Sequence, residues 1–527
     1  MHGKLAFLPG ILVVAATWGA LRGEVVLPGT QPLEGGIEFG KVAQCQICHG
    51  DTENGPADPY ASWQGGMMAQ AARDGVFRAA LAVANQDVKG VGEYCIRCHS
   101  PRGWLEGRST KAPDASALTT EDLHGVSCDF CHHLVDPLSE EAKKLVKAVP
   151  PGYGNGMFVA DPANTVRGPY GDGKGAKPHQ VAKSTLHATS QLCANCHDVS
   201  NPLQAADAAK QPPYAYGPIE RTYSEWSLSD FAQQGPKGTC QSCHYPAVPG
   251  GGKPTRFSMA ARPYFVTHGP VGGSTWVQDA TFTLWDGVGM SKPALEDAQA
   301  RTRKLLRTAA ELRADFPDAD GKTVRVRVTN LTGHKLPTGY PEGRRMWLNV
   351  TFLDAAGKSL GEIGRYGNKA DTLAGKAVEA PTLLDPEQTR VYECLPGLSA
   401  AQAAKFGKPA GASFHFVLND VMVKDNRIPP KGFANAAFAS HGAAPVGAQY
   451  KDGQNWDEFL LPAPAGTTAV KVRLMYQSVS WEYLKFLVEE NRTDDWSKRL
   501  YDAWTQTGRC APEPIAEATG ERKGTGN

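Results

Sequence analysis

The stretch VSCDFCHHLVDP, residues 126–137, sets Cys128 and Cys131 three apart and follows them at once with His132 and His133. Thiols and imidazoles at this density can serve as a redox dithiol, as half of a zinc site, or as a covalent cofactor anchor. The rest of the chain separates these. Ten of the twelve cysteines repeat one Cys-x-x-Cys-His pattern five times. The copies are Cys45, Cys48 and His49; Cys95, Cys98 and His99; Cys128, Cys131 and His132; Cys193, Cys196 and His197; and Cys240, Cys243 and His244. Their intervals are uneven, so they are a recurring site and not a solenoid repeat.

Two cysteines at i and i+3 share one face of a helical turn, where their sulfurs reach the two vinyl groups of one haem. The histidine that follows swings beneath the ring and gives a nitrogen to the iron. A thioredoxin-like dithiol needs one such pair and gains nothing from a histidine after each copy. Structural zinc takes four ligands, and five copies of a three-ligand unit pair badly. The expected cofactors are therefore five covalently attached haem c groups, with ten attachment cysteines and five proximal histidines.

With these motifs in place, the chain resembles the secreted bacterial multihaem c-type cytochromes. The likeness rests on the five motifs and on GEYCIRCHSPRGWLEGR, LCANCHDVSNP and TGHKLPTGYPEGRRMWLNV, and it spans most of residues 40–505. It implies a haem-bearing N-terminal half followed by a β-rich C-terminal half.

Each iron has a sixth position, and what fills it decides between electron transfer and catalysis. Six further histidines lie in or beside the motif region: His124, His133, His179, His187, His268 and His334. Six candidates for five positions fit full bis-histidine coordination. His179 and His187 precede the fourth motif and are expected to face a neighbouring haem. His268 sits in a glycine loop that permits close approach. His334 ends a strand and resembles a family motif whose histidine faces a haem. His133 points away from its own ring and is available to the next; His124 lies four residues before Cys128. For each, the plain alternative is a surface or hydrogen-bonding imidazole. Because no histidine lies between His49 and His99, Met67 and Met68 are also weighed, although core packing is the favoured role for both. The first haem is accordingly the expected open one.

The elements that position these groups fall into two parts. Residues 24–290 read as short helices and Gly- and Pro-rich turns wrapped on porphyrins. Tyr60, Trp63, Trp104, Trp226 and Tyr245 are expected at haem edges, and Arg73, Arg97, Arg102 and Arg108 near haem propionates. Residues 291–318 read as one amphipathic helix joining the halves, with Leu295, Ala298, Leu305, Ala309, Leu312 and Phe316 on a stripe. From 319 to 478 the period falls to two, which predicts an immunoglobulin-like antiparallel β-sandwich with His415 facing solvent. Residues 479–510 predict a helical pair, and 511–527 a disordered tail. The fold class is α+β. Cys394 and Cys510 are expected to form a disulfide, the alternative being two buried free thiols.

The chain has 527 residues, with 55 Lys and Arg against 54 Asp and Glu. No basic excess points to nucleic acid. Residues 1–23 read as a secretory signal peptide, because the apolar run is short and broken by Pro9 and Gly10. An uncleaved anchor is the alternative, and nothing further along is apolar enough to span a bilayer. The expected site of action is the periplasm or the cell exterior.

The leading expectation is an electron-transfer protein of respiration, serving redox partner proteins or an external acceptor. The rival is a multihaem oxidoreductase with one open haem acting on a small nitrogen or sulfur species. A third reading is a haem-bearing filament or docking subunit that self-associates.

Overall fold

The computed structural model describes residues 25–171, 179–257, 260–318 and 320–522. The expected signal peptide lies outside the described residues. No helix among the described residues is long and apolar enough to cross a membrane.

The first half is made of short pieces. Its motifs ride on the helices Val42–His49, Gly92–His99, Cys128–His132, Gln191–Ala194 and Cys240–His244. Helices this short are unstable alone and depend on what they pack against. Caps help two of them: Ser127 accepts the Phe130 amide, and Thr239 accepts the Ser242 amide. A longer helix, Gly75–Asp87, begins where the Asp74 carboxylate accepts the amides of Val76 and Phe77. It buries Ala79, Ala80, Ala82 and Ala84, small side chains that let other helices come close.

The joining helix starts as the sequence suggests, with Ser291 accepting the Ala294 amide and Pro293 in the first turn. It ends at Leu306, however, and Ala310–Asp315 is a strand. Ala310 and Leu312 are buried while Arg313 is exposed, so the period has already changed from that of a helix to that of a sheet.

In the second half, Thr323–Asn330 pairs with Ala310–Asp315 on one side and Trp456–Pro462 on the other. A larger sheet is centred on Arg345–Leu353, flanked by Ala469–Gln477 and by Val391–Leu398 with Ser359–Ile363. The two pack through Val324, Val326 and Val328 against Leu348, Val350, Phe352, Val470, Val472 and Leu474. Each such side chain contributes about 1.5–3 kcal/mol on burial. The sheets hold three and seven strands, more unequal than the immunoglobulin plan. The architecture is α+β, with helices and antiparallel sheets.

Four expectations fail here. The tail is not disordered up to Glu521, because Glu513–Glu521 pairs with Ala469–Gln477 along its length and buries Ile515. A hairpin of Tyr366–Leu373 and Lys376–Leu383 was not anticipated; Ala374 and Gly375 at its tip both have positive φ, as a tight two-residue turn requires. His415 does not face solvent: it is 8% exposed, in a stretch that turns instead of extending. Cys394 and Cys510 are buried free thiols. Cys394 Sγ lies 3.3 Å from Met422 Sδ and Cys510 Sγ 3.5 Å from Ser478 Oγ, at separate places in the fold.

The terminal helices Trp481–Glu490 and Trp496–Gln506 return to the first half. Leu484, Leu487, Leu500, Ala503 and Trp504 pack with Val76, Ala79, Ala80 and Val83 and with Trp276 and Ala280.

Candidate haem-binding centre

The five motifs converge, though not in chain order. The Cys45 thiol lies beside that of Cys128, the Cys98 thiol beside Cys196, and the Cys193 thiol beside Cys240. Cys131 is also within electrostatic reach of Cys193. The first motif thus neighbours the third, and the fourth neighbours the second, third and fifth.

The motif histidines share one local device. Nδ1 of His49, His99, His132 and His244 meets the carbonyl oxygens of Pro254, Ala71, Arg167 and Val271, at 2.8, 3.2, 2.5 and 2.6 Å. A carbonyl can only accept, so Nδ1 carries the proton and Nε2 keeps its lone pair. This is the tautomer that a metal-ligating imidazole needs. Burial lowers the pKa of all four, that of His99 to about 4, which keeps the rings neutral. His197 differs: its Nδ1 lies 3.3 Å from Glu220 Oε1. Burial opposes its charge, but the carboxylate outweighs burial and its pKa is raised.

A second imidazole faces three of the five. His179 stands 6.4 Å from His49, centroid to centroid, with ring planes 15° apart. His334 stands 6.3 Å from His244. His132 is faced twice, by His187 at 5.5 Å and by His268 at 6.5 Å. One metal ion between two imidazoles, at bonds of about 2 Å, separates ring centres by about 6 Å. Both His187 nitrogens are engaged, with Ser184 Oγ at 3.1 Å and Cys131 O at 2.9 Å. Nδ1 of His179, His268 and His124 is buried and has no hydrogen-bond partner, the condition of a nitrogen shaped to meet something other than protein.

The remaining candidates lie elsewhere. His133 holds the Asp129 carbonyl at 2.7 Å and sets its ring edge-on to Phe39, within its own helix and the aromatic core. His124 packs 5.8 Å from Trp63. Met67 joins an apolar cluster, and Met68 Sδ lies 3.7 Å from the Tyr245 hydroxyl. Since His179 reaches the first motif, the motifs without a second imidazole among the described residues are the second and the fourth. Phe77 lies flat on His99 at 3.8 Å and 6°. Phe77 and Glu220 carry no motif signature, and nothing in their local sequence marks either.

The arginines are mostly committed to protein. Arg108 forks onto Asp122 at 2.5 Å, and Arg102 reaches Glu106 at 3.0 Å. Arg97 bonds the carbonyls of Leu27 and Pro28 and lies 4.3 Å over Trp104. Arg73 is buried with Nε and Nη1 unbonded. No group of three His, Cys, Asp or Glu fit for a bare metal ion is gathered among the described residues.

One solved structure matches along nearly its whole length: a penta-heme cytochrome c552 from Thermochromatium tepidum. It is 18% identical, with a TM-score of 0.50, covering 91% of this chain and 98% of that one. The chain shares that cytochrome's fold. No protein-family model matches the sequence, and none of the curated proteins does. The tethered motif imidazoles and the unpartnered nitrogens of His179 and His268 fit haem c. The ten motif cysteines would hold it by thioether bonds, and His49, His99, His132, His197 and His244 would supply the proximal nitrogens.

Proposed function

We propose that this protein is a multihaem c-type cytochrome that carries electrons through five covalently bound haems. The observation that carries the reading is the pairing of carbonyl-tethered motif imidazoles with second imidazoles at His49–His179, His244–His334 and His132–His268. Haem would supply one-electron chemistry, and the chain's own residues would hold it between paired imidazoles and exclude water. His187, with both ring nitrogens bonded to protein, and His124, packed on Trp63, are not assigned to an iron. The protein acts outside the cytoplasm, after loss of residues 1–23, and exchanges electrons with partner proteins or an external acceptor.

Production in cells competent in cytochrome maturation tests this. The mature protein should be coloured, should exceed its polypeptide mass by five haems, and should begin near residue 24. A colourless product of bare polypeptide mass would end the proposal.

A second reading is favoured by His99 and His197, which meet Phe77 and Glu220 and not another imidazole. On this reading one of these two haems is open and acts on a small nitrogen or sulfur species. A high-spin ferric component with ready uptake of cyanide or nitric oxide favours it; a purely low-spin spectrum favours electron transfer alone.

A further inference from the structure

Four charges are buried together behind His334. Lys335 Nζ donates to Asp425 Oδ2 at 2.6 Å, with side chains 0% and 3% exposed. Arg427 forks onto the same carboxylate, Nε to Oδ1 at 2.8 Å and Nη2 to Oδ2 at 2.7 Å. Arg427 Nη2 also lies 3.2 Å from Oε1 of Glu225, itself 0% exposed. Glu225 belongs to the helix Thr222–Ser227, between the fourth and fifth motifs; the other three belong to the β-rich half. Two anions face two cations, so the cluster is neutral.

The cluster grips the segment that carries His334. Glu225 Oε2 accepts the Lys335 amide at 3.0 Å and the Thr338 hydroxyl at 2.6 Å. Asn330 Nδ2 holds the His334 carbonyl at 2.8 Å from the other side. Buried ion pairs add little net stability over apolar replacements of the same shape, so stability alone is a weak reason for four of them here. What they fix is position. They place His334 6.3 Å from His244 and leave no net charge behind it.

We infer that Glu225, Lys335, Asp425 and Arg427 are a charge-balanced clamp that positions His334 opposite His244 and sets the reduction potential of the haem held between them. The inference rests on the proposal that His334 is an iron ligand. These four are positioning residues; none of them is assigned to the iron. Loss of Glu225's charge leaves one cation in excess near the iron, which favours the ferrous state. Loss of Lys335's charge leaves one anion in excess, which favours the ferric state.

The test is a spectroscopically followed redox titration of the holoprotein and its variants. His334→Met identifies the haem concerned by the signal it alters. Glu225→Gln should raise that haem's potential, Lys335→Met should lower it, and the double variant should return it toward the parent value. These opposite signs separate electrostatics from general loosening, and either single variant suffices if the other does not fold. Shifts of one sign, or an unmoved potential in a variant that folds, would overturn the clamp while ligation by His334 stands. If His334→Met altered no haem signal, ligation itself would fall, and the clamp with it.

Discussion

His415 Nδ1 donates to Asp87 Oδ2 across 2.7 Å, joining two residues 328 apart in the chain. Both side chains are less than a tenth exposed, and the His415 ring sits edge-on to Phe486 at 4.9 Å. The contact pins the end of the helix Gly75–Asp87 to the β-rich half. His415→Ala would strand a buried carboxylate, at a cost of about 1–3 kcal/mol. Denaturant unfolding of the holoprotein should show that loss, with Asp87→Asn coupled to it in a double-mutant cycle. Additive effects would contradict the pairing.

Asp74 pays for its position as a helix cap. Burial pushes its carboxyl up to about 6 from an ordinary 3.8. The folded protein therefore holds this proton more tightly than the unfolded chain does. Its contribution is most favourable below about pH 4 and is lost as the pH rises through 6. Asp74→Asn keeps an acceptor for the amides of Val76 and Phe77 but sheds the charge. It should stabilise the protein at pH 7 by about 3 kcal/mol and flatten the pH dependence of stability between 4 and 6. A steeper profile in the variant would refute this.

Phe77 lies flat on His99 and so fixes that ring's orientation together with the Ala71 carbonyl. If the second motif holds haem as proposed, Phe77→Ala should broaden or shift that haem's paramagnetic resonance, while Phe77→Tyr keeps the parent signal. Identical spectra for all three proteins would remove this role.

Both unmatched cysteines should react as thiols. Mass spectrometry of denatured, unreduced protein treated with an alkylating agent should find Cys394 and Cys510 each modified once. Protection of both until reductant is added would instead indicate a bond between them.

The five Cys-x-x-Cys-His motifs were legible because identical local patterns need no knowledge of the fold. The strand Thr323–Asn330 was equally plain, since its valines alternate with arginines over its length. What escaped depends on partners distant in the chain. His179 reaches the first motif from just before the fourth, which no local spacing encodes. In Glu513–Glu521 the inward positions are Ile515 and small alanines among glutamates, so the segment reads as a polar tail until Ala469–Gln477 is beside it. His415 sits between Phe414 and Phe416 as if on a strand, yet both phenylalanines also pack inward. Alternation cannot reveal a turn buried on all sides.

The helix Trp496–Gln506 lies against Gly75–Asp87, so one wall of the first half is supplied from beyond the β-rich half. Cut from the rest of the chain, the segment bearing the second motif would keep an open flank, and neither half is a self-sufficient folding unit.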